Sequence, residues 1–128
     1  MKKQCILIVG PTITFDNQLC DRLEKKALLL KSVDIKRIDS ILTHNIVDLL
    51  IIEISSRNPS KVDIIKNLRM RYPSTYILLI NGNGNRDLIA KSFHSGVNDS
   101  FRKPLNLTLL EEKVEAILKK KKTDLINL

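Results

Sequence analysis

The chain has 128 residues, 43% of them hydrophobic and 28% charged, which excludes both a disordered chain and two full domains. Its 22 Lys and Arg residues against 14 Asp and Glu residues give a formal net charge of +8, a balance that invites a nucleic-acid or acidic-membrane partner. Four of the basic residues form the run Lys119 to Lys122, the others are scattered along the sequence, and aromatic residues make up only 4%. We therefore favour solvated faces and a basic tail over a nucleic-acid surface.

The two cysteines indicate a reducing compartment. Cys5 and Cys20 have neither CxxC spacing nor a histidine at ligand distance, so we expect both to be reduced, mostly buried thiols. The apolar runs are too short to span a bilayer, and the amino terminus leads directly into a strand-like segment, which does not resemble a signal peptide. The expectation is a cytoplasmic protein without a membrane partner.

Short β-type apolar runs alternate with amphipathic helical patterns in the first half of the chain. Gly10-Pro11 closes the first strand, and Thr14 is a candidate N-cap for the helix that follows. The charged second strand is typical of a sheet edge. The predicted elements are a strand over Cys5 to Val9, a helix from about Phe15 to Leu30, a strand over Ser32 to Ile38 and a short helix over Ser40 to Asn45.

The second half continues the alternation. The segment Asp48 to Ile54 is almost wholly apolar until its end, which is typical of a central strand buried on both faces. The helix that follows this strand must end before Pro73. Gly96 is the candidate C′ residue that ends the helix after it. The remaining predicted elements are strands over Tyr76 to Ile80 and Val97 to Phe101, a helix over Arg86 to Ser95, loops over Ser55 to Pro59 and Asn81 to Asn85, and a final helix that runs from Leu107 into the lysine run.

Five strands alternating with about five helices predict an α/β fold, a doubly wound parallel sheet in a three-layer sandwich. Sites in such folds lie at the carboxyl ends of the strands. In this sequence those ends carry Gly10-Pro11, Glu53, Asn81-Gly82 and Arg102-Lys103.

Three segments together resemble the receiver domain of response regulators, the phosphoacceptor half of two-component systems. They are Val47 to Glu53, Arg71 to Ile80, and Gly96 to Leu105 with its Lys-Pro turn, and the resemblance extends from Ile6 to Lys119. It implies a flavodoxin-like, five-stranded parallel sheet of order 2-1-3-4-5. It also implies a receiver-like domain over residues 1–120, with residues 121–128 as a basic linker or tail that leads to an output domain.

The resemblance breaks at the acidic residues of the family's site. Gly10 and Pro11 stand where the family has two metal-binding acids, and Glu53 stands where it has the phosphoacceptor aspartate. Because phosphoryl transfer to a carboxylate needs a divalent cation to neutralise charge, we predict that the Mg²⁺ site is lost and that no cofactor is bound. Asp16 lies at the start of the first helix, and we do not expect it to restore the site.

The family's switch positions also differ. Asn81 replaces the switch Ser or Thr, and Ser100 replaces the switch aromatic, with Phe101 displaced to the opposite face. Lys103 is unchanged, and the resemblance implies a cis peptide between it and Pro104. We expect Glu53 to pair with Lys103, because a buried acid needs a partner, and Asn81 to donate a hydrogen bond to the same carboxylate. Glu53 then either imitates a phosphorylated aspartate in an active-like state or forms a purely structural ion pair.

These observations predict a receiver-like signalling module that is not an enzyme and acts by protein–protein interaction. One alternative is a phosphorylatable receiver that uses Glu53 or a rearranged acid, and another is a basic α/β protein that binds nucleic acid through Lys119 to Lys122. The expected partners are an output domain, another protein or a second copy of the chain, with nucleic acid contacted only through the output domain. The candidate dimer surface comprises the last helix, the fifth strand and the preceding helix, with Arg86, Asp87, Lys91, Arg102, Glu111, Glu112 and Glu115.

Overall fold

A computed structural model describes residues 3–55, 61–82 and 86–126. Its centre is a parallel five-stranded sheet in the order β2-β1-β3-β4-β5, which confirms the predicted topology. The strands are β1 (Cys5–Val9), β2 (Leu28–Ser32), β3 (Leu49–Ile54), β4 (Tyr76–Asn81) and β5 (Asp99–Arg102).

Helices cover both faces of this sheet, as the alternation predicts. They are α1 (Asn17–Glu24), α2 (Ile38–His44), α3 (Val62–Arg71), α4 (Arg86–Ser95) and α5 (Leu107–Ile126). Side chains from α1 and α5 pack on one face, and side chains from α2, α3 and α4 pack on the other. None of the helices in the described ranges is long and apolar enough to cross a membrane.

The central strand β3 explains why the sequence specifies this layering. Leu50 and Ile52 point into the core beneath α2 and α3, whereas Leu49 and Ile51 point into the core beneath α1 and α5. All four side chains are fully buried. A strand buried on both faces is apolar at every position, and that is the pattern that predicted it.

The predicted first helix and second strand are wrong in their bounds. The helix ends at Glu24 instead of Leu30, and Leu28 to Ser32 forms β2, which pairs with β1 from Cys5↔Leu28 to Val9↔Ser32. The three consecutive leucines satisfy a strand as well as a helical stripe, and the ladder to β1 decides the outcome. Asp34 then caps a 3-10 turn over Ile35–Arg37, where the sequence predicted the second strand.

The start of α1 also differs from the prediction. Asp16, not Thr14, is the N-cap, and its carboxylate accepts a hydrogen bond from the Leu19 N–H at 3.0 Å. The Thr14 hydroxyl instead donates to the Gly10 carbonyl at 2.7 Å. Phe15 lies in a preceding 3-10 turn and is 69% exposed, so it does not belong to the buried stripe of α1.

The second half agrees more closely with the sequence. Helix α4 has the predicted bounds, and Gly96 follows it with a φ of +118°, a conformation that favours glycine. Strand β5 begins two residues later than predicted, at Asp99, and α5 continues through the lysine run to Ile126. Residues 56–60 and 83–85, within the predicted loops Ser55 to Pro59 and Asn81 to Asn85, lie outside the described residues.

Candidate site at the carboxyl ends of the strands

The parallel register brings four of the predicted site residues to one edge of the sheet. Val9 pairs with Ile52, so Gly10 stands beside Glu53, one residue farther along each strand. The Lys103 N–H donates to the Asn81 carbonyl at 3.1 Å and continues the pairing of β4 with β5. The ends of β1, β3 and β5 therefore converge on the Glu53 carboxylate.

Glu53 is held by three neighbouring residues. Its Oε1 accepts the backbone N–H groups of Thr12, at 2.9 Å, and Ile13, at 3.1 Å. Its Oε2 accepts the Thr12 hydroxyl and forms an ion pair with the Lys103 ammonium. The Glu53 side chain is 7% exposed, so both carboxylate oxygens have protein partners in a site that is largely closed to water. This geometry confirms the predicted pairing of Glu53 with Lys103.

Opposing effects act on the charge of Glu53. Burial by itself would raise the pKa of this carboxyl, because desolvation disfavours the ionised form. The hydrogen bonds from Lys103, from the hydroxyl and backbone of Thr12, and from the Ile13 backbone lower the pKa by more, so it lies below its ordinary value. Glu53 is therefore a carboxylate at neutral pH.

Lys103 bridges the acid and the loop after β1. Its ammonium donates to the Thr12 hydroxyl, at 2.5 Å, as well as to Glu53, and its side chain is 29% exposed. The peptide between Lys103 and Pro104 is cis, as the resemblance implied. Lys103, Thr12 and Glu53 form a closed triangle, which we call the Glu53 triad.

Gly10 leaves the space that Glu53 fills. A Cβ at position 10 would lie 2.5 Å from the Glu53 Cβ and 2.5 Å from its Oε1, both far inside van der Waals contact. The φ of Gly10 is +153°, which also disfavours an L side chain. An acid at position 10 is therefore incompatible with the observed backbone and the observed position of Glu53.

The other predicted site residues lie on the strands and loops around this triad. Pro11 is exposed, and the Asn81 side chain is fully buried beside the core. The hydrogen bond expected from Asn81 to Glu53 stays a prediction. Ser100 pairs with Leu79 in the β4–β5 ladder and is partly buried, while Phe101 packs on the α1 and α5 side, opposite to it.

Sequence reasoning missed Thr12. A threonine just after a strand is typical of a cap or turn, yet the side chain and the backbone N–H of Thr12 both bind Glu53. A usable signal was its position: Thr12 follows the end of β1 by three residues, at the same edge as Glu53. The hydrogen bond from the Thr12 backbone N–H cannot be predicted from the residue type, because every residue except proline carries this donor.

The donor set around Glu53 does not suit Mg²⁺. This cation prefers oxygen ligands in octahedral geometry and usually takes one or two carboxylates. Gly10 and Pro11 offer no side-chain oxygen, the Glu53 oxygens are engaged, and Lys103 contributes a positive charge. Asp16 is occupied as the N-cap of α1. Across the described ranges, no cluster of three His, Cys, Asp or Glu residues has a metal-binding arrangement.

The candidate dimer surface differs in composition from the prediction. Glu111 forms an ion pair with Arg22 at 3.2 Å, and Glu115 forms one with Lys26, so both acids face α1. On the other side of α5, Lys113 pairs with Asp99 of β5 at 2.9 Å. The prediction placed Glu111 and Glu115 on a surface with α4 and β5, whereas these ion pairs turn both acids toward Arg22 of α1 and Lys26 just after it; the dimer surface itself stays a prediction.

Comparison with solved structures identifies the architecture. The signal receiver domain of an HD-domain protein from Pseudomonas fluorescens superimposes with a TM-score of 0.83 at 22% identity, covering 100% of this chain and 96% of that one. An orphan response regulator of H. pylori superimposes with a TM-score of 0.78 at 16% identity, covering 90% and 96%. The chain has the receiver fold.

Sequence comparisons add a weaker likeness. The cell cycle transcriptional regulator CtrA of Caulobacter vibrioides is 24% identical over 75 residues, which are 59% of this chain and 32% of CtrA. The aligned part of the receiver fold thus spans about a third of that relative's length. No family model matches the sequence.

Proposed function

We propose that this receiver-like domain is a signalling module that works by protein–protein interaction and without phosphorylation. The observation that carries the proposal is the Glu53 triad, in which the acid at the phosphoacceptor position is already neutralised by Lys103 and the loop after β1. In a phosphorylatable receiver the corresponding lysine and cation must be available to neutralise an incoming phosphoryl group. In this chain the internal carboxylate takes that role.

The loss of the cation site follows from the same residues. Glu53 occupies the space beside Gly10. The glycine at position 10 and the glutamate at position 53 therefore fit together, whereas an acidic side chain at position 10 would clash with Glu53. A divalent cation would have to compete with Lys103 for the only carboxylate the triad contains. We therefore propose that the domain binds no Mg²⁺ and has no cofactor or enzymatic activity of its own.

The triad also holds the loop after β1. Two backbone N–H groups and one hydroxyl of that loop converge on Glu53, which fixes the loop against β3 and β5. We propose that the domain keeps a single conformation at this edge and presents it to a protein partner or to an output domain. Its localisation is then the cytoplasm, where partners of receiver-type modules are found.

Phosphodonor labelling tests this proposal. The protein is incubated with acetyl phosphate and Mg²⁺, and its intact mass is measured under conditions that preserve acyl phosphates. We expect no phosphorylated species for the wild type. A Mg²⁺-dependent phosphoryl adduct that disappears in Glu53→Gln would establish the alternative, a phosphorylatable receiver that uses Glu53. An adduct that persists in Glu53→Gln would indicate a rearranged acid, and either adduct overturns the proposal.

A further inference from the structure

Basic residues that are scattered in sequence lie on segments that are joined at the amino ends of the strands. The α1 helix ends there, followed by Lys25, and β1 begins there, preceded by Lys3. The Gln4 amide donates to the Leu118 carbonyl at 2.8 Å, and the Leu28 N–H donates to the Gln4 carbonyl at 2.9 Å. These bonds tie the start of β1, the turn after α1 and the last turns of α5 together.

The lysine run of α5 extends this cluster. Lys119, Lys120 and Lys122 are exposed, whereas the ammonium of Lys121 is turned to the Ser74 carbonyl in the turn before β4. We define the basic end of the domain as the five exposed lysines Lys3, Lys25, Lys119, Lys120 and Lys122. It lies at the edge of the sheet opposite to the Glu53 triad.

The charge of these five lysines is not balanced by ion pairs in the part of the chain that the structure describes. None of them takes part in an ion pair within residues 3–55, 61–82 and 86–126. Of the acids on the same segments, Asp48 accepts the Cys5 N–H at 2.8 Å and Glu24 pairs with Lys31, whereas Asp21 is exposed on α1 and offsets part of the positive charge. Asp124 is the exposed acid in the last turns of α5. The carboxyl ends of α1 and α5 carry a partial negative charge that offsets only part of this excess.

We infer that the basic end binds the phosphate backbone of nucleic acid directly, where the sequence alone favoured a solvated face and contact with nucleic acid only through an output domain. Protein–protein contact surfaces are depleted in lysine and enriched in aromatic residues and arginine, whereas this cluster consists of lysines without an aromatic residue among them. A lysine ammonium is a point charge on a flexible stem, and it can approach the phosphates of a nucleic acid without a fixed hydrogen-bonding geometry. The absence of aromatic residues from the cluster implies binding that is independent of base sequence. This inference is independent of the function proposed for the Glu53 triad.

Fluorescence anisotropy with a labelled 20-base-pair DNA duplex tests the inference. Five phosphate contacts predict a slope of about −4.5 for log K against log salt concentration, where K is the association constant. This slope corresponds to a loss of affinity on the order of 500-fold between about 50 and 200 mM salt. Removing three lysines in Lys25→Gln/Lys119→Gln/Lys122→Gln should weaken binding by about tenfold or more at low salt and reduce the slope by about 2.7.

A charge-matched variant provides the control. Lys36→Gln/Lys66→Gln/Lys91→Gln removes three exposed lysines from the turn after β2, from α3 and from α4, and it has the same net charge. We expect it to bind within about threefold of the wild type. Equal losses in the two variants would show that net charge alone attracts the duplex, and this would overturn the inference. Absence of binding at low salt would also overturn the inference. So would binding of poly-glutamate as tight as that of the duplex, because the basic end would then bind any polyanion, including acidic proteins.

Discussion

At the scale of single residues, Glu53 is the group whose environment differs most from that of an exposed acid. Its carboxylate is nearly buried and receives hydrogen bonds from two backbone N–H groups, a hydroxyl and an ammonium. A hydrogen bond to a charged group contributes more to stability than a neutral one, and losing it leaves its partners without a counterpart. The consequences of changing Glu53 can therefore be stated with direction and size.

Glu53→Gln keeps the side-chain length and removes the charge. We expect the free energy of unfolding at pH 7 to fall by about 1–3 kcal/mol, because Lys103 and the loop after β1 lose a charged acceptor. Urea unfolding followed by circular dichroism measures this difference. Glu112→Gln is the control, since Glu112 is exposed and lies outside the triad, and it should leave the midpoint near that of the wild type.

The pH dependence follows from the lowered pKa of Glu53. Because the folded-state pKa lies below the ordinary value, the carboxylate stabilises the fold at pH values above the unfolded pKa of about 4.3. This stabilisation is lost as the pH falls from there through the folded-state pKa. The difference in unfolding free energy between wild type and Glu53→Gln should therefore shrink between pH 6 and about pH 3. A difference that stays constant over this interval would show that the charge of Glu53 contributes nothing.

Gly10 offers a second test at this scale. Gly10→Ala introduces a Cβ that would overlap Glu53 and impose a strained φ, so we expect a loss of about 2–4 kcal/mol. Gly82→Ala is the matched control, because no atom lies within 4 Å of its added Cβ, and its effect should stay within about 1 kcal/mol. Chemical unfolding of both variants measures the contrast. Equal stabilities would mean that position 10 tolerates a side chain and that the explanation for its glycine is wrong.

At the scale of elements, Arg69 of α3 joins two turns at the amino edge of the sheet. Its guanidinium donates to the Gly96 carbonyl, at 3.0 and 2.9 Å, and to the carbonyls of Tyr72, Pro73 and Thr75. Gly96 has no room for a Cβ beside it, since an added Cβ would lie 2.6 Å from the Arg69 Cγ. The Arg69 side chain thus holds the turn after α3 and the turn after α4 together.

Arg69→Gln should uncouple these helices. Four carbonyls, three of them in partly buried hydrogen bonds, would lose their donor, and we expect a loss of about 2–4 kcal/mol together with faster amide hydrogen exchange at Gly96 and Val97. Arg71→Gln is the control, because Arg71 is exposed and pairs with Asp39 at the surface, and it should leave exchange at Gly96 unchanged. Slow exchange in Arg69→Gln would show that the turn before β5 is held by other contacts.

Comparison of elements with their predictions shows where sequence patterns suffice. The apolar run of β3 and the bounds of α4 are specified locally, since every position of a doubly buried strand must be apolar and Gly96 marks a helix end. The end of α1 is not specified locally, because Leu28 to Leu30 fits a helical stripe until the ladder to β1 is considered.

The same distinction applies to the site. The pairing of Glu53 with Lys103 could be predicted, because both residues end strands at one edge and a buried acid needs a cation. The role of Thr12 could not, because two of its contacts depend on where the loop after β1 turns and one comes from the backbone. Likewise, Lys25 and Lys119 are far apart in sequence, so the sequence alone does not show that they lie at the same end of the molecule.

At the scale of the whole molecule, the receiver fold has two chemically different ends. The carboxyl ends of the strands hold a carboxylate that is satisfied internally, and the amino ends expose lysines without acidic partners among the described residues. Sites for phosphate chemistry are expected at the first end in this fold. In this chain the five exposed lysines of the basic end lie at the second.

The thermal stability of the whole domain should not respond to Mg²⁺. A ligand that binds only the folded state raises Tm by an amount that grows with the logarithm of one plus the ratio of its concentration to Kd. Without a cation site, Tm in MgCl₂ should equal Tm in NaCl of the same ionic strength, as measured by differential scanning calorimetry. A Tm increase specific to Mg²⁺ and abolished in Glu53→Gln would locate a cation at the triad.

The most direct test of the central claim is an amide NMR titration of the domain with Mg²⁺ and then with beryllofluoride, which stands in for the phosphoryl group. The account predicts that the resonances of Glu53, Asn81 and Lys103 keep their positions, apart from small changes that NaCl also produces. Large shifts at these residues that require both additions would show that the site still assembles around a phosphoryl group, and they would contradict the account.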